Sequence, residues 1–104
     1  MSIKNVAKNG ATFITGHGCT GSDTLSNVLS VTVFIEGVEA LVSGAISGSH
    51  SYGPLGLDPC GAFHSVVYSG GSSTVKVQGI SIGRFGDSVD SGSINSGAAT
   101  VFCS

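Results

Sequence analysis

A chain of 104 residues has room for one domain, so residues 1–104 are expected to fold as a single unit. Four basic against six acidic side chains give a formal charge of −2 and no electrostatic footprint for nucleic acid, and no apolar run approaches the roughly 20 residues of a membrane span. Gly and Ser fill 17 and 18 positions, a share typical of linkers, yet 26 residues are Val, Ile or Thr and only 10% are charged, so the expectation is a folded, all-β domain rich in tight turns.

The segment Met1 to Gly10 carries two lysines with no apolar stretch behind them. No secretory leader is therefore expected, and the three cysteines are expected as thiols, not as a disulfide framework. Val6, Lys8 and Gly10 match Ile82, Arg84 and Gly86 at an offset of 76, which makes this segment read as the tail of a repeating unit. A Gly-rich loop with His17 and Cys19 follows. Thr32-Val33-Phe34-Ile35-Glu36-Gly37 then returns as Thr74-Val75-Lys76-Val77-Gln78-Gly79 at an offset of 42, and the register holds through Val38 and Ile80, Ala40 and Ile82, Gly44 and Gly86. Period two places Val31, Val33 and Ile35 on one strand face, and Val75 with Val77 on another. Gly37 and Gly79 fall where a hairpin reversal needs positive φ. Between the copies, Ser43 to Phe63 and Asp87 to Ala98 read as long irregular loops. Thr100-Val101-Phe102-Cys103 is a third, truncated copy. One hairpin cannot bury its apolar face alone; three around an axis can, with the loops converging at one end.

The chemistry-bearing residues sit in those loops. His17, His50 and His64 with Cys60 offer three imidazoles and one thiolate, a tetrahedral set suited to Zn²⁺. Cys19, two residues from His17, is an alternative ligand. A structural zinc contributes roughly 10–16 kcal/mol of apparent folding free energy, enough to pin loops so rich in Gly and Ser. Cys103 aligns with Val77 and reads as a core thiol. Asp87 reads as a side-chain cap of its turn, and Tyr52 and Phe63 as covers over the metal.

The pattern T-V-F-I-x-G, V-x-A-x-V-x-G, a His- and Cys-bearing loop, then Gly71 to Gly79, resembles the PAAR-repeat family, and Ile82-Gly83-Arg84-Phe85-Gly86-Asp87 is similar to that family's Ala-Arg-Val-Gly-Asp element. The resemblance runs from about Asn5 to Cys103. It implies a small conical domain of three β-hairpin repeats with pseudo-three-fold symmetry and a metal, zinc or iron, near its tip. It further implies a non-enzymatic protein that caps the trimeric β-helical spike of a phage tail or type VI secretion system, one copy per trimer. Such a protein is made in the bacterial cytoplasm, rides at the tip of a virion tail or injection machine, touches a membrane transiently during piercing, and takes no small-molecule substrate. Carried over by position, His17 supplies the first loop's ligand, and His50, Cys60 and His64 the second's. Ser91-Gly92-Ser93 stands where many members of the family have a His or Cys followed by glycine, and Ala40, Val42 and Ala45 depart in the first full repeat. These departures suit a divergent, phage-type member.

Two other function classes compete. A thiol hydrolase would use Cys60 as nucleophile and His64 as base, but needs a cleft and oxyanion donors for which the chain has little room. A disulfide-held adhesin is opposed by the odd cysteine count.

Overall fold

The computed structural model describes residues 3–16, 22–52 and 62–104, which fold into strands and turns with no helix. Three two-stranded ladders recur: β4 (Phe34–Ile35) with β5 (Val38–Glu39), β9 (Lys76–Val77) with β10 (Ile80–Ser81), and β1 (Lys4–Asn5) with β13 (Phe102–Cys103). The first two close through two-residue turns in which both φ values are positive, 53° and 84° at Glu36–Gly37 and 54° and 80° at Gln78–Gly79. This turn matches the right-handed twist of its strands, and glycine enters it without steric cost.

Between the ladders, three backbone segments hold one another head to tail. Leu41 N–H donates to Ala7 C=O (3.0 Å), Gly83 N–H to Leu41 C=O (2.7 Å), and Ala7 N–H to Gly83 C=O (2.9 Å). Outside this ring, Asn9 donates to Glu39, Ser43 to Ser81 and Phe85 to Asn5, at 2.7 to 2.9 Å. Each segment ends in a four-residue turn, Lys8 to Ala11, Val42 to Ala45 and Arg84 to Asp87, closed by its own N–H to C=O bond, with Gly10, Gly44 and Gly86 at positive φ.

Because side chains alternate along these segments, the ring divides two apolar clusters. Ala7 and Leu41 join Ala11, Phe13, Leu25, Ala45, Tyr68, Val89 and Ile94. Their neighbours Val6, Ala40, Val42 and Ile82 join Val31, Ile35, Val77 and Ala98. Gly83 completes the first set with no side chain, since a Cβ there would stand 3.0 Å from Leu41 Cδ2 and 3.2 Å from the Tyr68 ring.

The expected loops contain regular strands among their described residues. Asp87 to Ala98 contains β11 (Ser88–Val89) and β12 (Gly92–Ile94), and Ser43 to Phe63 contains β6 (Ile46–Ser47), β7 (His50–Tyr52) and the start of β8 (Ala62–His64). With β2 (Thr12–Ile14) and β3 (Ser22–Ser26) they form a five-stranded sheet ordered β11-β12-β2-β3-β6 and a β7–β8 pair. Ser and Gly hide these strands from a propensity reading, because the ladder is built by backbone groups and needs only an occasional Val89 or Ile94 facing the core. The strand face expected at Val31, Val33 and Ile35 is also corrected: Val31 and Ile35 are buried, whereas Val33 is exposed.

Long-range side-chain latches tie the turns together. Glu36 accepts bonds from Thr100 Oγ1 (2.8 Å) and N–H (3.0 Å), then from Lys8 and Ala99. These donors, Thr100 foremost, hold its carboxyl well below the ordinary 4.5, at about 2. A carboxyl depressed in the folded state stabilises above its unfolded pKa, and that contribution is lost as pH falls through the folded value. The melting temperature is therefore expected to drop between pH 4.5 and 2, and Glu36→Gln to flatten that slope in a pH series of melting curves.

Candidate metal centre

Four strands converge on His50. Phe13 on β2 and Asp23 on β3 are direct cross-strand partners and so face the same way. Phe13 is fully buried, with its ring 6.1 Å edge-on to the His50 imidazole. Asp23 Oδ2 lies 2.8 Å from His50 Nδ1. His50 itself is 4% exposed and pairs across the β7–β8 ladder with His64.

The other ring nitrogen of His50 meets two further groups. His64 Nε2 is 2.9 Å away and Asp90 Oδ2 is 2.8 Å away, while His64 Nε2 and Asp90 Oδ2 are 3.5 Å apart. Asp90 is delivered by the β11–β12 turn, where it and Ser91 take φ of 50° and 61°, a conformation Asp tolerates better than most residues. Burial lowers the pKa of His50, but its bonds to Asp23 and Asp90 outweigh burial, so the net shift is upward.

His50, His64 and Asp90 form a group that could hold a metal ion, each offering one donor atom, all within 4.8 Å of one another. Two imidazole nitrogens and a carboxylate oxygen fit a borderline divalent cation such as Zn²⁺ or Fe²⁺. Of the expected ligands, His50 and His64 are thus brought together; His17, Cys60 and the alternative Cys19 lie outside the described residues. Asp90 was not read from the sequence as a ligand, although it directly precedes the Ser91-Gly92-Ser93 triplet that breaks the family pattern. Its signal was positional: an Asp opening a two-residue reversal. Phe63 does not cover the centre, since alternation on β8 turns it outward and leaves it 69% exposed; Tyr52's side chain lies outside those described. Cys103 is half-buried against the second apolar cluster, and burial pushes its thiol pKa up.

Two glycines let the Asp90 turn approach. Gly16 N–H donates to Asp90 C=O at 2.9 Å, and a Cβ on Gly16 would stand 2.2 Å from Ser91 C=O. On Gly92 it would stand 1.7 Å from Ile14 C=O. Gly92→Ala is therefore expected to pry β12 from β2 and carry Asp90 away from His50, destabilising the fold by roughly 2–4 kcal/mol and lowering metal content together. Denaturant melts and elemental analysis check both.

The side of the domain bearing Arg84 carries a second polar group. Asp87 is buried and accepts from the Arg84 N–H (3.0 Å), from the Arg84 guanidinium and from the Tyr68 hydroxyl, with Lys4 Nζ at 3.5 Å. The side-chain cap expected of Asp87 is thus one bond of several. Burial first, then the bond to Asp87, pushes the Tyr68 pKa far up, so the hydroxyl stays a donor. The chain matches no family model and no curated protein.

Proposed function

We propose that this chain is a structural tip protein of the PAAR-like kind, capping a trimeric β-helical spike, with one metal ion pinning its hairpins. The observation that carries the reading is the ring of Ala7, Leu41 and Gly83, in which three segments donate to one another in a closed cycle. The same cyclic order recurs further out, where Glu36, Gln78 and Ser104 bind Thr100, Thr32 and Thr74. Each turn also makes a matching bond to a segment that follows it: Gly10, Gly44 and Gly86 N–H donate to Leu25, Tyr68 and Ile94 C=O. Three quasi-equivalent units in one chain suit the end of a three-chain partner.

The docking face in this reading is the one bearing the short hairpins, where Phe34 and Phe102 stand at matching positions, 61% and 55% exposed. Val33 joins it. Val75 and Val101 instead pack against the domain's second apolar cluster. The metal, zinc or iron, is held by His50 and His64 with Asp90, and with His17 and Cys60 as further ligands. Its role is to tie strands from different hairpins into a stiff point for a part driven against a membrane.

Mixing the protein with a truncated trimeric β-helical spike encoded beside it, and measuring the mass of the complex, tests the proposal. One copy per trimer is expected. Three copies per trimer, or no complex, overturns it.

A further inference from the structure

We propose that Asp23 is the positioning residue of the metal centre: by accepting the Nδ1–H of His50 it fixes the ring in one tautomer and so presents Nε2 to the cation beside His64 and Asp90. This rests on the reading of the centre as a metal site.

The geometry separates Asp23 from the ligands. Its carboxylate meets Nδ1, whereas His64 Nε2 and Asp90 Oδ2 both meet Nε2, on the other side of the ring. A cation among those three donors is therefore reached from the face of His50 that Asp23 does not touch. Both Asp23 oxygens are committed to donors: Oδ2 to His50 Nδ1, and Oδ1 to the Thr24 N–H at 2.7 Å. Gly48 lies beside the carboxylate, at a distance where even a Cβ would make only ordinary van der Waals contact with Oδ1, 3.4 Å. The opposite strand contributes Phe13, whose buried ring lies edge-on to His50. One strand pair thus fixes both the tilt and the proton of the imidazole. A carboxylate behind a ligating histidine sets its orientation and basicity, and removing such a partner typically weakens metal affinity 10–100-fold.

Asparagine is the informative replacement. Asp23 supplies two acceptor oxygens, one to each donor, and an amide has only one. If its oxygen keeps Thr24, its NH₂ faces His50 Nδ1 and favours the tautomer with the proton on Nε2, where the cation should sit. If its oxygen keeps His50, two donors collide at Thr24.

The test compares wild type and Asp23→Asn by zinc competition against a chromogenic chelator, with Co²⁺ spectra of both proteins. The expected result is one equivalent bound by each at saturation, a 10–100-fold weaker affinity in the variant, and a Co²⁺ band pattern of unchanged donor number. An affinity within twofold of wild type overturns the positioning role while leaving the centre standing. A lost donor in the Co²⁺ spectrum, or a loss beyond a thousandfold, makes Asp23 a ligand and also overturns it. Should the variant fail to fold, long-range ¹H–¹⁵N spectra of zinc-loaded wild type decide: His50 bound through Nε2 with Nδ1 protonated supports the proposal, and bound through Nδ1 refutes it. Absence of zinc binding by wild type is a different outcome, and removes the centre itself.

Discussion

Replacing His50 with alanine is expected to abolish metal binding and destabilise the fold by about 3–5 kcal/mol, the range for removing one member of a buried charged group. The imidazole is the meeting point of β2, β3, β7 and the β11–β12 turn, so its removal takes the ring partner from Asp23 and Asp90 and empties the space beside Phe13. Where binding energy is folding energy, the loss shows twice. Elemental analysis should fall from near one equivalent to background, and the melting temperature of the variant should no longer respond to a chelator. A variant that keeps its metal would show that His50 is not a ligand.

The second large effect is expected at Asp87. Asp87→Ala leaves the Arg84 guanidinium, the Tyr68 hydroxyl and Lys4 without the carboxylate they share. A loss of about 3–5 kcal/mol is expected, against about 1–2 kcal/mol for Tyr68→Phe, which removes one donor of several. Metal content should be unchanged in both, because Asp87 belongs to neither the His50 group nor its supports. Denaturant titration with parallel metal analysis distinguishes this network from the centre.

The hairpin signal was legible because it rested on residues with few substitutes. Only a small set of side chains enters a turn with two positive φ values, so Gly37 and Gly79 announced their reversals. His50 and His64 were legible as donors by type. The strands in the supposed loops were not, since Ser88, Gly92 and Ser93 pair through backbone groups that every residue carries. Asp90 and Asp23 were missed for a related reason. Their roles come from β-sheet register and from a turn that turns inward, and neither leaves a spacing signature.

The pairing of the first strand with the last also governs how the molecule must be made. Lys4 finds its partner in Cys103, and Ala7 needs Gly83 before its amide is satisfied. Closure therefore waits on contacts far apart in sequence, the kind that slow folding. On a nascent chain the Glu36 and Gln78 hairpins are too short to stand alone, and residues 4–7 stay unmatched until Gly83 and Cys103 have been synthesised. Assembly of such a ring is a late and collective event.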